Sequence, residues 1–345
     1  CYKKLSMSKK NSSVILKKGF QNFEDLSKEY SNFKKKLKSI NKRYYVVAIS
    51  GGPDSLALVA LTKALSFEKN IKFYYVLIDH RIRKNSSKEA NQVKNLLKKH
   101  KIFLHILKNK LNIKKNIQSN ARKIRYNLLA NFSKKKKVST ILTAHNLEDQ
   151  VETFFIRLSR GSGITGLSGM RLLSKLDKNV VLFRPLLNTK KNVLIKITKE
   201  IFGKYFKDPS NNNNKYLRTK IRGLKKPLNR SGINYDQIIK SINNLASSKE
   251  TIDEYFKKIF SEVVKKSKKE VSLNLNKFNK INDDLKIRVI NESIKIVKNN
   301  YYNPRSEKVT RLIKKIENKA FLKATLSGCI FTKKKDNLRI KPEEI

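Results

Sequence analysis

Apolar residues follow two alternating patterns up to about residue 225. Short apolar runs that predict buried strands cover residues 44–49, 71–78, 102–107, 138–143 and 180–184. Between these runs, apolar residues recur every three or four positions and predict helices over 54–66, 86–99, 117–133 and 147–159. Strands that are separated regularly by helices indicate an α/β fold built on a doubly wound parallel sheet.

The segments on either side of this region have a different character. Before the first strand, apolar residues at helical spacing predict an amphipathic helix over 22–39. After residue 225 the pattern predicts a helical region over 235–300, a helix over 305–318 and strands over 320–331 and 337–341. We therefore expect an N-terminal helical extension, a catalytic α/β domain and a C-terminal region that is helical and then small α+β, with bounds at 1–43, 44–225 and 226–345.

The first strand leads directly into Ser-Gly-Gly-Pro-Asp-Ser, and a helical run follows. Two adjacent glycines allow a positive φ and a close approach of the backbone to a ligand. Such a turn directs backbone N–H groups and a helix N-terminus toward an anion. No lysine follows the glycines, so the turn is not a Walker A loop. The alternative is a purely structural Gly-Pro turn with a capping serine. We favour a phosphate-binding loop made of Ser50, Gly51, Gly52, Pro53, Asp54 and Ser55.

The fourth predicted strand ends in a second polar segment, Thr143–Thr153. Ligands of doubly wound sheets bind beyond the carboxyl ends of the strands, so this segment is expected to face the glycine turn. Glu148 and Glu152 share one face of the following helix, and His145 and Asp149 share another. These groups can hold Mg²⁺ or accept a proton, with Asp54 and Asp149 the best candidates for the metal. The alternative is that the acidic residues only stabilise the helix N-terminus.

Arginines and a glycine-rich loop complete the candidate chemistry. The glycine-rich segment 160–170, which begins at Arg160, is too long for a simple turn and predicts a lid or a substrate loop. The alternative is a plain linker. Planar guanidinium donors suit phosphates and carboxylates. The candidate arginines of the later segments are Arg122, Arg125, Arg184, Arg218 and Arg222.

The charge of the chain points to a polyanionic partner. Its 80 basic and 27 acidic residues give a net charge of +53, which favours RNA. Abundant lysine and asparagine also indicate drift toward A/T-rich codons, which inflates lysine without function. The two cysteines exclude a disulfide framework and fit a reducing cytoplasm. No apolar stretch approaches the about 20 residues of a membrane span, so we predict no membrane partner, and a homodimer is compatible with these features.

Taken together in their order along the chain, the motifs resemble those of the tRNA(Ile)-lysidine synthetases, a family of PP-loop ATP pyrophosphatases. The similarity covers residues 44–224, and it is carried by Ser50–Ser55, Asp79–Arg83, Ala121–Tyr126, Thr143–Thr153, Arg160–Met170, Arg184–Leu187, Asp208–Asn211 and Arg218–Arg222. Two positions depart from the family pattern. Glu148 stands where aspartate is commoner, and Thr219 stands where asparagine is usual.

The resemblance implies a Rossmann-like PP-loop fold, and it implies one reaction. ATP adenylates the C2 oxygen of cytidine 34 in tRNA(Ile) with a CAU anticodon, and free lysine then replaces AMP. It implies that the 50–55 turn cradles the phosphates, that Asp54 and Asp149 hold Mg²⁺, and that Arg122 contacts phosphate or the activated base. His145 would transfer a proton, and Glu148 and Glu152 would hold the lysine ammonium. Arg160, Arg218 and Arg222 are further candidates for contacts with lysine or tRNA.

Three alternatives share this loop. A tRNA thiolase would need a reactive cysteine near the loop, whereas Cys1 and Cys329 are both remote from the motifs in sequence. An amidotransferase or NAD synthetase would need a glutaminase or ammonia-channel signature, which we do not find. A non-catalytic RNA-binding descendant would not need intact motifs.

Overall fold

The computed structural model describes residues 24–82, 85–111, 117–206, 217–267, 270–298, 304, 306–319 and 321–343. The chain forms two compact units, Cys1–Ala246 and Ser247–Ile345. The predicted motif Asp208–Asn211, Arg83 of the motif Asp79–Arg83, and residues 1–23 of the N-terminal extension lie outside the described residues.

The first unit is built on a six-stranded sheet with the order β3-β2-β1-β4-β6-β5. All neighbouring strands are parallel except β5 and β6. The strands are β1 (Tyr44–Ile49), β2 (Lys72–Asp79), β3 (Leu104–Lys108), β4 (Thr140–Leu142), β5 (Leu173–Asp177) and β6 (Val180–Phe183).

Ten helices precede, separate or follow these strands along the described part of the chain. They are α1 (Glu24–Ile40), α2 (Pro53–Glu68), α3 (Ser86–Lys99), α4 (Ile117–Lys135), α5 (Leu147–Leu158), α6 (Ile164–Leu167), α7 (Lys191–Phe202), α8 (Leu217–Gly223), α9 (Lys225–Arg230) and α10 (Tyr235–Val263). The last of these runs across the boundary between the two units.

The strand order places the candidate chemistry in a crevice. In the order of the sheet, β2 and β3 lie on one side of β1, and the next strand along the chain, β4, lies on the other side of β1. Such a switch point opens a crevice beyond the carboxyl ends of β1 and β4. The 50–55 turn follows β1, and the Thr143–Thr153 segment follows β4. The two motifs therefore meet at the same edge of the sheet.

The core holds this edge in place. Tyr45, Val46 and Val47 of β1 are fully buried, and so are Leu56 to Leu61 of α2. Because α2 is apolar on all sides, it lies between the sheet and α7 rather than at the surface. The hydroxyl of Thr198 on α7 donates to the carbonyl of Pro53 at 2.7 Å, which fixes the first turn of α2.

The second unit has an antiparallel sheet with the order β7-β8-β11-β10-β9. Its strands are β7 (Val264–Lys266), β8 (Val271–Asn274), β9 (Phe321–Leu326), β10 (Cys329–Lys334) and β11 (Asn337–Pro342). The helices are α11 (Leu275–Asn279), α12 (Asp283–Lys298) and α13 (Ser306–Asn318), and the apolar faces of α12 and α13 complete its core.

The predicted fold class is confirmed, and several elements differ from their predictions. The helical region predicted over 235–300 is interrupted by β7 and β8, whose short polar-rich segments carry little periodicity. The strand predicted over 320–331 is a hairpin, which turns at Ser327 and Gly328 with φ of +53° and +73°. The predictions also missed β5, an exposed edge strand, and α7. None of the described helices is long and apolar enough to cross a membrane.

Candidate active site

The hydroxyl of Ser55 fixes the backbone conformation of the glycine turn. Its Oγ accepts hydrogen bonds from the backbone N–H groups of Ser50 at 3.2 Å and Gly51 at 3.1 Å, and it donates to the carbonyl of Gly52 at 2.9 Å. Ser55 is buried whereas Ser50 is exposed. Gly52 caps α2, and Pro53 takes the first helical position, where its missing N–H is not needed. The turn is therefore prearranged around an open helix N-terminus.

Gly51 is the position where the turn needs glycine. Its φ is +84°, and a Cβ built there would lie 2.6 Å from Cγ2 of Val93. We expect Gly51→Ala to lower the free energy of unfolding by roughly 2–4 kcal/mol and to weaken ATP binding, because backbone strain and a clash add. Gly203→Ala is the control, since Gly203 has a φ of +70° with no atom near its Cβ. Equal losses in the two variants, measured by chemical denaturation, would contradict the close-packing argument.

Asp54 lies in the first turn of α2 and is poorly solvated. Its Oδ1 is buried and has no hydrogen-bond partner among the described residues. Its Oδ2 lies 3.9 Å from Nζ of Lys191. Burial raises the pKa of Asp54 to about 6. Lys191 and a hydrogen bond from the side chain of Asn146 oppose this shift, whereas the neighbouring carboxylates Asp149 and Glu148 add to it. A buried carboxylate oxygen without a partner, beside the glycine turn, fits a cation.

The helix that carries the other carboxylates begins with a capping box. The side chain of Asn146 accepts from the N–H of Asp149 at 2.9 Å, and Oδ2 of Asp149 accepts from the N–H of Asn146 at 3.1 Å. This reciprocal pair fixes the first turn of α5 at the crevice. The sequence places Asn146 correctly for such a cap, although we singled out only its acidic neighbours.

Each acidic residue on α5 has a basic partner from a later segment. Glu152 is 2% exposed and accepts from Nε of Arg218 at 2.6 Å and from Arg222 at 2.7 and 3.2 Å. Asp149 accepts from Nη2 of Arg218 at 2.8 Å. Glu148 accepts from the backbone N–H of Lys191 at 2.9 Å and pairs with Nζ of Lys225 at 3.3 Å. The predicted residues of α5 and α8 therefore meet in one ionic network.

A cavity of about 350 Å³ opens beside this network. It is lined by Glu148, Glu152, Lys190, Lys191, Asn192, Ile195, Arg222, Lys225 and Tyr235. Its walls carry both signs of charge, so it suits a zwitterion better than an apolar ligand.

His145 is neutral in this environment. Burial, with contributions from Arg184, Arg122, Arg218 and Arg125, lowers the pKa of its imidazole to about 3. Its Nδ1 lies 2.9 Å from the hydroxyl of Thr143. If Nδ1 donates to this hydroxyl, Nε2 is the acceptor nitrogen of the neutral ring, and an anion bound among these arginines would make it a stronger base.

A second set of arginines has no carboxylate partner. Arg122 lies with its Cζ 5.0 Å from the ring of Tyr126, and burial together with Arg122 lowers the pKa values of Arg157 and Arg184. Arg184 is 6% exposed, and its buried Nε has no partner among the described residues. None of the three forms an ion pair within the described part of the chain. This cluster is suited to an anion.

The glycine-rich loop is tied to α5 by two side chains that sequence analysis missed. Gln150 donates to the carbonyl of Met170 at 2.9 Å and accepts from its N–H at 2.7 Å. Nη1 of Arg157 donates to the carbonyls of Gly166 at 2.6 Å and Gly169 at 2.9 Å. The two residues are seven positions apart on one face of the helix, a spacing that could have identified them. Arg160 lies past the exposed C-terminal end of α5, away from the carboxylates.

The described residues contain no cluster of three or more histidine, cysteine or acidic side chains that could hold a metal by itself. Mg²⁺ commonly takes one or two protein carboxylates and completes its shell with phosphate oxygens and water. Asp54, with its unpartnered oxygen, fits that type of site.

Comparisons with known proteins agree with this geometry. Residues 25–227 match the PP-loop domain family. The tRNA(Ile)-lysidine synthase of Wolbachia pipientis wMel is 32% identical over 328 residues, which are 93% of this chain and 73% of the relative. The chain belongs to the tRNA(Ile)-lysidine synthase family.

Two further members of the tRNA(Ile)-lysidine synthase family give similar results. The synthase of Rickettsia typhi is 32% identical over 303 residues, which are 85% of this chain and 68% of the relative. That of Orientia tsutsugamushi is 40% identical over 185 residues, which are 53% of this chain and 41% of the relative. These relatives confirm the predicted family and the prediction of an ATP-using ligase.

Among solved structures, a U34-tRNA thiolase from Methanococcus maripaludis superposes with a TM-score of 0.56 at 17% identity. The match covers 65% of this chain and 79% of the thiolase. This likeness concerns the fold alone. Lys191 and Lys225 are the partners of Asp54 and Glu148 in this chain. Sequence analysis missed both lysines, because they belong to segments without a motif.

Proposed function

We propose that this protein joins free L-lysine to C2 of cytidine 34 in tRNA(Ile) with a CAU anticodon. The observation that carries the proposal is the meeting of the 50–55 turn and the α5 carboxylates at the switch point between β1 and β4. The glycine turn and a cavity of about 350 Å³ lined by Glu148 and Glu152 then lie near the same edge of the sheet.

The first half-reaction transfers AMP from ATP to the base. The C2 carbonyl oxygen of cytidine attacks the α-phosphorus, the bond to the β-phosphate breaks, and pyrophosphate leaves. We assign the 50–55 turn to the phosphates, through the backbone N–H groups of Gly52, Asp54 and Ser55, since those of Ser50 and Gly51 already donate to Oγ of Ser55. We assign Arg122 to the phosphate or to the activated base. Asp54, with Asp149, would hold Mg²⁺, which neutralises phosphate charge when it is bound.

The second half-reaction replaces the activated oxygen with nitrogen. The neutral ε-amine of lysine attacks C2, the C2–O bond breaks, and AMP leaves with that oxygen while the nitrogen loses a proton. His145 is our candidate acceptor for this proton, since its imidazole is neutral. The oxygen of an unactivated carbonyl is a poor leaving group, which is why adenylation must come first.

The lysine contacts are assigned from the ion pairs. Glu152 is enclosed by two arginines, so we assign it to holding Arg218 and Arg222 in place. Glu148, with one oxygen facing an exposed lysine, is the better candidate for an ammonium. The net charge of +53 supports tRNA as the partner.

One assay tests the proposal. Purified protein is incubated with ATP, radiolabelled lysine and a tRNA(Ile) transcript with a CAU anticodon. We expect label in the RNA, with one AMP and one pyrophosphate released for each lysine bound. A transcript with uridine in place of cytidine 34 serves as the control. No label in the CAU transcript, or equal label in both, would contradict the proposed function.

A further inference from the structure

The cavity beside Glu148 contains an ammonium group of the chain itself. Nζ of Lys225 lies 3.3 Å from Oε1 of Glu148 and 5.0 Å from the centroid of the Tyr235 ring. A carboxylate on one side and an aromatic face on the other form a recognised binding site for an ammonium ion. All three residues line the same cavity.

Glu148 and Tyr235, which form the walls of this site, are held in place, whereas the Lys225 side chain between them is half exposed. The Glu148 side chain is 13% exposed, and its second oxygen is held by the N–H of Lys191. Tyr235 is 8% exposed and packs in an apolar cluster with Leu147 and Val151. The Lys225 side chain is 48% exposed, at the start of a short helix. Lys225 can therefore leave while Glu148 and Tyr235 stay in place.

The neighbouring carboxylates do not offer the same exchange. Glu152 accepts three hydrogen bonds from two arginines, and Asp149 is bound both to Arg218 and to the backbone of Asn146. Displacing these partners would leave buried charges without compensation. A half-exposed lysine pair such as that of Glu148 contributes little and is exchanged at low cost.

We propose that Lys225 is an internal competitor for the lysine substrate. In the ligand-free protein its ammonium occupies the position between Glu148 and Tyr235 that an ammonium group of free lysine takes on binding. The identity of the ligand rests on the proposed function, whereas the position of the site rests on the contacts of Lys225. Lys225 thereby sets the apparent affinity for lysine without touching the reacting atoms.

Lys225→Met tests this role, because methionine keeps an unbranched apolar chain as far as the Cε position and removes the ammonium. We expect the KM for lysine to fall by about two- to fivefold, with the KM for ATP and kcat unchanged. Lys226→Met is the matched control, since Lys226 is the next residue, is exposed and carries the same charge. We expect it to change neither KM. Tyr235→Leu should raise the KM for lysine by about three- to tenfold, because the aromatic face is lost.

Direct lysine binding, measured by calorimetry without ATP or tRNA, separates the two proposals. Tighter lysine binding by Lys225→Met than by the unmodified protein supports the competitor. Equal lysine binding by the two, or the same gain in Lys226→Met, overturns it. If lysine binds more tightly to Lys225→Met but no variant transfers lysine to tRNA, the competitor stands and the proposed function fails.

Discussion

Asp54→Asn is expected to slow pyrophosphate release from ATP and tRNA by about 100-fold or more while leaving the fold intact. The carboxylate lies in the first turn of α2, beside the glycine turn to which we assign the phosphates, and its buried Oδ1 has no partner among the described residues. The amide of asparagine has almost the same shape as the carboxylate but carries no negative charge to bind a cation. The substitution should therefore lower the rate of adenylation rather than the stability of the fold. The measurement is a pyrophosphate-release assay at saturating ATP.

The same substitution is expected to stabilise the ligand-free protein. Burial raises the pKa of Asp54 to about 6, above its ordinary value of 3.8. The ionised carboxylate therefore lowers stability above about pH 6, and this penalty disappears as the pH falls from 6 to 4. We expect Asp54→Asn to gain on the order of 1–3 kcal/mol at pH 8 and nothing at pH 4.

Chemical denaturation at the two pH values, without nucleotide or Mg²⁺, measures this gain. A variant that is less stable at pH 8, or one that releases pyrophosphate at the normal rate, would contradict the assignment of Asp54. Asp149→Asn provides a comparison, because Asp149 is already paired with Arg218. We expect it to lose activity without the pH-dependent gain.

Glu152→Ala is expected to lower the free energy of unfolding by about 2–3 kcal/mol. The side chain is 2% exposed, and its removal takes away the acceptor of Arg222 and leaves Arg218 paired with Asp149 alone. The loss is smaller than for a fully buried pair, because both arginine side chains are more than a third exposed and are partly hydrated. Thermal unfolding followed by circular dichroism gives the measurement.

The control for Glu152 is an exposed ion pair of the same unit. Asp236 pairs with Lys190 at 2.9 Å, and its side chain is 59% exposed. Asp236→Ala should change stability by less than about 0.5 kcal/mol. A double-mutant cycle between Glu152→Ala and Arg222→Ala should give a coupling of about 1–2 kcal/mol. Additive effects of the two substitutions would show that their contact does not stabilise the protein.

Much of the first unit could be predicted from the sequence, because its signals are local. The buried runs of β1 and β2 and the helical spacing of α3 depend on residues within one element. The strand β5 has no buried residue, and β7 and β8 are only three and four residues long, so none of them carries a recognisable apolar period. The carboxyl-edge location of the site was also predictable, because strand and helix alternation implies it.

The sequence by itself determined which residues could do chemistry, namely the 50–55 turn and the carboxylates of α5. Only the tertiary structure decided which of them are committed to other residues of the chain. Glu152 and Arg222 are 70 positions apart, and Glu148 and Lys225 are 77 apart. Charge pairing depends on distance and burial in space, so no local pattern could distinguish the enclosed carboxylate of Glu152 from the exchangeable pair of Glu148.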